Sequence, residues 1–209
     1  MSLIKKTEGI RNYCVSLIIE HFTPSLYKKI LPFIKNNWNN IPRPAILFMK
    51  EYFNRKFVIG AEIGVDKGKN AKSILKELNI KRLYLIDVWF NYKGIPSIRP
   101  QKDNFKLVSK EFKNNKKVSI IKDFSINAVN KIADNSLDFV YIDANHSFES
   151  IYQDIKLWFN KVKEGGVIAG HDIYSHEGVF EAIVMFCSKQ HIEFEINIPD
   201  WYFLKRGNN

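Results

Sequence analysis

The 209-residue sequence has few cysteines and no long hydrophobic segment. Cys14 and Cys187 are too few for a disulfide framework and too far apart for a C-x-x-C metal or redox motif, which predicts a reduced, cytoplasmic protein. The longest apolar stretches, such as residues 15–19, fall far short of the ~20 residues that span a bilayer. The N-terminus lacks the pattern of a signal peptide, and the sequence has no internal repeat. We therefore expect a globular protein without a membrane partner.

The charge is strongly basic, because 32 Lys and Arg outnumber 22 Asp and Glu and give a formal net charge of +10. The lysines are spread over most segments, and Lys, Asn and Ile are frequent throughout. This distribution is typical of a solvated basic surface. An acidic partner is the alternative, so nucleic acid is disfavoured but not excluded.

From Phe57 onward, apolar runs of five to seven residues alternate with segments of helical periodicity. The predicted strands are 57–63, 82–88, 117–121, 137–143 and 166–170. Between them, apolar residues recur at helical spacing, as Ala71, Ile74 and Leu78 do. Strands that are apolar on both faces and alternate with helices predict a parallel α/β sheet covered by helices on both sides.

The pattern changes after the fifth predicted strand. An amphipathic helix around Val179 to Cys187 is followed by two further strands, 191–197 and 201–206. Only three residues join these strands, too few for a crossover helix, so they are expected to form an antiparallel hairpin. The prediction is a seven-stranded, mostly parallel sheet with an antiparallel C-terminal hairpin, at residues 57–209.

Residues 1–56 differ from the rest, with one amphipathic helical pattern followed by several prolines. They predict an N-terminal helical extension. Two interpretations stay open: a helical segment packed on the core, or a lid or dimerisation element over the active site. The second allows a homo-oligomer.

Glycines and acids follow the carboxyl ends of the five predicted parallel strands. They are Gly64 and Gly68, then Asp87, then Asp123-Phe124-Ser125, then Asp143 with His146, and last His171-Asp172. A single acid at a strand end is often only a helix N-cap. Because these strand ends meet at one edge of the sheet, the set together predicts a nucleoside-sized pocket.

The pattern E-x-G-x-x-x-G at residues 62–68, with Asp87, Asp143 and the terminal hairpin, resembles class I S-adenosylmethionine-dependent methyltransferases. The resemblance covers roughly residues 57–206 and implies a Rossmann-like fold. The segment 141–173 is similar to small-molecule O-methyltransferases of the catechol and sugar type.

The resemblance implies which residues hold the cofactor S-adenosylmethionine. Glu62, Gly64, Gly68 and Asn70 would border its methionine part. Asp87 would hold the ribose, with Val88, Phe124 and Ser125 around the adenine. Asp123 and Asp143 complete the predicted cofactor-binding residues.

The same resemblance implies a divalent metal. Catechol-type enzymes bind Mg²⁺ through an Asp after strand four and an Asp-Asn pair after strand five. Here Asp143 matches the first ligand, but the pair reads His171-Asp172. Asp172 suits a hard cation, whereas His171 suits a transition metal better. His146 occupies the position at which those enzymes carry a lysine base.

The expected chemistry is methyl transfer to a hydroxyl. The sulfonium methyl group is already activated, so the enzyme must align an acceptor oxygen with the S–CH₃ bond. His146 is the candidate general base, with Asp143 beside it. A cation at Asp143 and Asp172 would instead lower the pKa of the hydroxyl.

Three rival functions fit the sequence less well. A nucleic-acid methyltransferase of the base-amine type commonly has a proline- and aromatic-containing turn after strand four, which 143–146 lacks, although an RNA ribose methyltransferase stays open. An NAD(P)-dependent oxidoreductase fits the spacing from Gly64 to Asp87 but not the glycine spacing. A degenerate binding module is disfavoured by the intact site residues.

The small-molecule substrate is not identified by the sequence. Segment 89–100 and the N-terminal helices are the expected substrate walls. Trp89, Phe90, Tyr92 and Arg99 would frame a phenol, a sugar or an anionic molecule, and the resemblance favours a sugar hydroxyl.

Overall fold

The structure is a computed structural model that describes residues 42–90 and 101–206, with side chains from residue 103 onward in the second range. The first 41 residues, Tyr92 and Arg99 lie outside the described residues. The lid or dimerisation role of the N-terminal segment, and its boundary at residue 56, therefore stay predictions.

Seven strands form one sheet in the order β3-β2-β1-β4-β5-β7-β6. The strands are β1 (Val58–Ile63), β2 (Ile80–Asp87), β3 (Val118–Lys122), β4 (Leu137–Ile142), β5 (Val162–Gly170), β6 (Glu195–Asn197) and β7 (Asp200–Leu204). Strands β1 to β5 pair in parallel, whereas β7 is antiparallel to both β5 and β6. The predicted mostly parallel sheet with an antiparallel C-terminal hairpin is confirmed.

Helices cover both faces of this sheet. They are α1 (Pro44–Phe53), α2 (Lys69–Glu77), α3 (Gln101–Phe112), α4 (Ser125–Ala128) with a 3-10 turn at Val129–Lys131, α5 (Phe148–Phe159) and α6 (Glu177–Gln190). One core contains residues of α1, α2 and α3, such as Ile46 and Ile74. The other contains residues of α5 and α6, such as Trp158 and Ile183. No helix in the described ranges is both long and apolar enough to span a membrane.

Helix α1 lies within the segment predicted as an N-terminal extension. Pro44 occupies its first position, where proline's missing N–H costs nothing. Ala45, Ile46 and Met49 are fully buried against the sheet. For this helix, packing on the core is observed.

Three strands begin two or more residues away from their predicted starts. Strand β2 begins two residues earlier, at Ile80, and β5 begins four residues earlier, at Val162. Strand β6 spans only 195–197. His191 ends α6 in a left-handed conformation, and residues 192–194, which follow it, are not part of the sheet. The period-2 pattern therefore overestimated the length of this edge strand.

The strand order places the site. Strands β1 and β4 are neighbours in the middle of the sheet, so the loops that follow them leave in opposite directions along the edge. A crevice forms at such a switch point, at the carboxyl ends of the strands.

Candidate functional site

A cavity of about 560 Å³ opens at the carboxyl ends of β1 to β4. The predicted site residues in its wall are Gly64, Asp87, Val88, Asp123, Phe124, Ser125, Asp143 and His146. Glu62, Gly68, Asn70, His171 and Asp172 are not part of the wall. The structure therefore brings eight of the predicted residues, from four successive strand ends, around one space.

The glycine turn after β1 brings two strand ends unusually close together. Gly64 has φ +86°, and a Cβ atom there would lie 2.0 Å from the carbonyl oxygen of Asp143. Gly68, with φ +74°, directly precedes α2. Its Cβ would lie 2.9 Å from Phe112 Cε2. Both positions require glycine, for backbone conformation and for space.

Asp87 fixes this turn from the end of β2. Its Oδ2 accepts hydrogen bonds from the amides of Val65 and Asp66, each at 2.9 Å. Its Oδ1 accepts one from the Trp89 amide at 3.0 Å. A carboxylate oxygen has two lone pairs, so Oδ1 keeps one for a further donor. Asp87 thus organises the loop as well as lining the cavity, and Trp89 is fully buried rather than an exposed substrate wall.

Glu62 and Asn70 form a buried polar pair next to the turn. Asn70 Nδ2 donates to Glu62 Oε1 at 3.1 Å. Glu62 Oε2 and Asn70 Oδ1 are buried and have no hydrogen-bond partner among the described residues. Burial raises the pKa of Glu62 to about 8. Two unsatisfied acceptors at a buried site are unusual in a folded protein and suit a cationic donor.

The loop after β3 contributes a smaller part of the wall. Asp123 accepts hydrogen bonds from Lys131 Nζ at 2.7 Å and from Asn127 Nδ2 at 3.0 Å, and the bond from Lys131 is the main reason that its pKa is lowered. Ser125 Oγ donates to Asp154 Oδ1 at 2.5 Å and accepts from Trp158 Nε1 at 2.7 Å. Both side chains therefore have structural partners already.

Two aromatic rings stand at the rim of the cavity. Phe124 and Phe90 meet edge to face with ring centroids 5.5 Å apart. Both are partly exposed, at 39% and 43%. The pair offers an apolar face to a planar ligand, and a substrate contact of Phe90 stays a prediction.

A charged network lies behind Asp143. Arg43 Nη1 donates to Asp143 Oδ2 at 2.7 Å and to the Tyr141 hydroxyl at 3.0 Å. Tyr141 donates in turn to Asp200 Oδ1 at 2.9 Å, and Asp200 Oδ2 accepts from the amide of Ala45 at 2.9 Å. Burial raises the pKa of Asp200 to about 6. The network ties the start of α1 to the ends of β4 and β7.

His146 lies between two carboxylates. Its Nε2 is 2.9 Å from Asp172 Oδ2 and 3.6 Å from Asp143 Oδ1, ion-pair distances without hydrogen-bond geometry. The ring stacks on His176 with centroids 4.3 Å apart. The carboxylates of Asp143 and Asp172 raise the pKa of His146 to about 9. Protonation of His146 is therefore favoured at neutral pH.

The pKa values of Asp143 and Asp172 are lowered, whereas that of His146 is raised. Burial alone would raise the pKa of Asp143, but His146 and Arg43 hold it below its ordinary value. For Asp172 burial also opposes ionisation, yet contacts with His146, His171 and Ser175 hold its pKa well below its usual range. Both groups are anionic at neutral pH.

A comparison with protein families identifies the domain. A family model described as a methyltransferase domain matches residues 61–173, more than half of the chain. The chain belongs to this methyltransferase family. The matched segment begins in β1 and ends just after Asp172, so it contains the glycine turn and the histidine–carboxylate cluster. An oxidoreductase, one of the rivals from the sequence, is not supported by this match.

Solved structures confirm the class I S-adenosylmethionine-dependent methyltransferase fold of this methyltransferase. The O-methyltransferase NovP aligns with a TM-score of 0.59 at 16% identity, over 78% of each chain. A Staphylococcus aureus protein, proposed to be a caffeoyl-CoA O-methyltransferase, aligns with a TM-score of 0.61 at 14% identity, over 95% of this chain and 100% of its own.

A third structure contains a cofactor product. It is a protein of Streptococcus mutans, proposed to be a methyltransferase and solved with S-adenosylhomocysteine (SAH). Its TM-score is 0.55 at 19% identity, over 78% of this chain and 97% of its own. No curated protein matches the sequence. Structural similarity at such low sequence identity shows a shared fold and does not identify the substrate.

The methyltransferase also has residues that suit a divalent metal. Donor atoms of Asp143, His171 and Asp172 lie within 4.8 Å of one another, and so do those of His146, Asp172 and His176. His171 Nδ1 and His146 Nε2 are buried without a hydrogen-bond partner in the described part of the chain. Carboxylate oxygens with an unpartnered imidazole nitrogen are a chemically suitable ligand set.

Sequence reasoning missed several residues of the methyltransferase site. Arg43, Tyr141 and Asp200 contact Asp143 directly or through one another, and Asp154 holds Ser125. Arg43 lies between two prolines, which restrict the backbone on both sides. This position is the only feature of the sequence that indicates a fixed role for Arg43. Tyr141 and Asp200 carry no local signal, since their partners are distant in sequence.

Proposed function

We propose that the protein is an S-adenosylmethionine-dependent O-methyltransferase that methylates a hydroxyl of a small molecule, a sugar or a phenol. One observation carries the proposal. His146, flanked by Asp143 and Asp172, lines the same cavity as the glycine turn. A proton acceptor beside an activated methyl group is what transfer to a hydroxyl requires.

The cofactor would lie along the edge from β1 to β3. Glu62 Oε2 and Asn70 Oδ1 lie outside the cavity wall and have no hydrogen-bond donor among the described residues, which suits the ammonium group of a methionine part that reaches them. Gly64 lets the ligand approach the backbone. Asp87 keeps a lone pair for a ribose hydroxyl, and Phe124 offers a ring face to the adenine. Within the described ranges, Asp123 Oδ2 accepts only from Lys131 and likewise keeps a lone pair for the ligand. Ser125, bonded to Asp154 and Trp158, supports the loop instead.

At the other end of the cavity, His146 would accept the proton of the substrate hydroxyl. Asp172 holds its ring, and Asp143 compensates the positive charge that forms on proton uptake. A histidine with a pKa of about 9 must first lose its own proton at neutral pH. We therefore expect turnover to increase as the pH rises towards about 9.

Asp143, Asp172 and His171 would hold a divalent metal if one is used. A bound cation supplies Lewis acidity that lowers the pKa of the acceptor hydroxyl. Arg43 orients Asp143 in either case, because it binds Oδ2 and leaves Oδ1 towards His146.

A small molecule is favoured over a nucleic acid by the turn after β4. Residues 143–146 contain neither the proline nor the aromatic ring that commonly holds a flipped base. The cavity volume of about 560 Å³ is within the range of small-molecule sites. An RNA methyltransferase remains the alternative that the basic charge suggests.

The test is methyl transfer from radiolabelled S-adenosylmethionine to three acceptor classes: phenols and catechols, nucleotide sugars and simple sugars, and RNA. We expect label in a phenol or sugar and none in RNA. Salt-sensitive labelling of RNA alone would replace the proposal by the alternative. Labelling of no acceptor, together with no binding of SAH, would contradict a methyltransferase role altogether.

A further inference from the structure

We propose that Asp143, His171 and Asp172 bind a transition-metal ion, and that His171 is the residue that selects this ion over Mg²⁺. The inference rests on the proposed function, since it names the class of ion that would assist the same reaction. It depends on one feature of the ligand set in this chain, the imidazole nitrogen of His171.

The donor atoms of this trio lie near one another, and one pair of them has the spacing of metal ligands. All three residues offer an atom within 4.8 Å of the others. His171 Nδ1 lies 3.1 Å from Asp172 Oδ1. Atoms held about 2.1 Å from a common ion lie about 3 to 3.4 Å from their nearest fellow ligands. The His171–Asp172 pair therefore needs little rearrangement.

The environment of His171 leaves the correct nitrogen available. Nδ1 is buried and has no hydrogen-bond partner within the described ranges. On the far side of the ring, Nε2 faces Asp200 Oδ1 at 3.9 Å. Asp172 Oδ1 is nearer, at 3.1 Å from Nδ1, so a bound ion would take the place of a proton between these two atoms. The carboxylate of Asp200 behind the ring would then favour the tautomer with its N–H on Nε2, which places a lone pair on the opposite nitrogen. That nitrogen is Nδ1, which faces Asp172.

Both carboxylates are oriented by protein contacts, and His146 Nε2 lies between them, so an ion would compete with protonated His146 for their oxygens. Arg43 holds Asp143 Oδ2 at 2.7 Å, and Ser175 Oγ donates to Asp172 Oδ1 at 2.6 Å. Asp172 itself has φ +62°, a backbone conformation that is uncommon for a residue other than glycine. Strained conformations of this kind concentrate at functional sites, where surrounding contacts maintain them.

The donor chemistry decides the class of ion. Mg²⁺ prefers oxygen ligands in a near-ideal octahedral arrangement. Imidazole suits Zn²⁺, Co²⁺, Ni²⁺ and Fe²⁺, and its contribution to affinity is larger for these ions than for Mg²⁺. A site of two carboxylates and one imidazole should therefore bind these transition-metal ions much more tightly than Mg²⁺. Replacement of the imidazole by a third carboxylate should reduce this difference in affinity.

The experiment uses the full chain, depleted of metal, and Co²⁺ and Mg²⁺ as probes. Calorimetry measures both affinities, and the visible absorption of Co²⁺ reports on its ligands. We expect one Co²⁺ per chain, bound at least about 100-fold more tightly than Mg²⁺. In His171→Asp we expect the Co²⁺ affinity to fall about 10-fold or more and the Mg²⁺ affinity to rise.

His191→Asn is the matched control. His191 is exposed, ends α6 in a left-handed conformation that asparagine tolerates, and belongs to neither donor group. We expect this variant to bind both ions like the wild type. An equal loss of Co²⁺ binding in His191→Asn and His171→Asp would show adventitious histidine binding and overturn the inference.

Two further results would overturn it: a wild-type chain that binds neither ion, or an unchanged Co²⁺ to Mg²⁺ ratio in His171→Asp. If that variant melts below the assay temperature, His171→Asn is measured instead, with the same loss of Co²⁺ affinity expected. SAH titration of the same samples separates the two proposals. Binding of SAH without metal selectivity contradicts only this inference, whereas selective Co²⁺ binding without SAH binding contradicts the proposed function.

Discussion

The two ends of the cavity are built in different ways. At the β1–β2 end, the geometry is set by the backbone: Gly64 has no room for a side chain, and Asp87 binds three loop amides. At the β4–β5 end, the geometry is set by charged side chains, with His146 between Asp143 and Asp172. The first end suits a fixed ligand, and the second suits proton movement.

Because of this difference, substitutions at the two ends of the cavity should have different effects. A backbone turn that cannot accept a Cβ loses its shape, and with it both stability and cofactor affinity. A charged side chain that is replaced by a neutral isostere loses its chemistry while the fold is retained. Substitutions at the two ends should therefore separate binding from turnover.

The largest effect is expected at the β4–β5 end. His146→Asn should lower turnover by about 10²- to 10⁴-fold, because it removes the proton acceptor. It should also abolish the increase of turnover towards pH 9 that the raised pKa of His146 predicts. Initial rates across the pH range, with His191→Asn as the control, check both effects. Wild-type rates in His146→Asn would remove His146 from the chemistry.

The next largest effect is expected at the glycine turn. Gly64→Ala should lower the free energy of unfolding by about 3 kcal/mol, since it adds a severe clash to a left-handed backbone. Gly165→Ala is the matched control. It has φ +70°, but among the residues that the structure describes its Cβ would meet no atom closer than 3.8 Å, so only about 1 kcal/mol is expected. Urea unfolding measures both, and equal losses would refute the role of the close approach to Asp143.

Glu62→Gln tests the buried pair through stability. The pKa of Glu62 is about 8 in the folded protein, against 4.5 for the ordinary side chain. The folded state then binds more protons than the unfolded state between these values, so the stability of the wild type falls as pH rises from about 4.5 to about 8. Glu62→Gln should flatten this pH dependence and be more stable than the wild type at pH 8. Parallel pH profiles of the two chains would contradict the burial argument.

The smallest effect is expected from Arg43→Lys. Lysine keeps the charge near Asp143, but its flexible ammonium lacks the rigid planar geometry with which Arg43 Nη1 donates to both Asp143 and Tyr141. We expect about 1 kcal/mol less stability and a few-fold lower turnover. Arg206→Lys is the control, because its ion pair with Glu193 is exposed and long at 3.9 Å. Thermal melts and rates compare the two, and equal changes would show that Arg43 has no special role.

The sequence predicted the features that follow from periodic patterns of apolar residues and from their order along the chain. Alternating strands and helices predicted the sheet, and residues at strand ends, such as Gly64, Asp87 and Asp143, came together because parallel strands end at one edge. It did not predict side-chain partners. Arg43 reaches Asp143 across 100 residues of sequence, and Ser125 is bonded to Asp154 and Trp158 rather than free for a ligand. Such contacts depend on packing, which local periodicity does not contain.

The most direct test of the separation between the two ends is calorimetric titration of SAH into three chains. Glu62→Gln should bind SAH about 10-fold more weakly than the wild type, because it removes the carboxyl group that would ionise to pair with the methionine ammonium. His146→Asn should bind SAH within about twofold of the wild type. An equal loss of affinity in the two variants, or no binding by the wild type, would contradict the account.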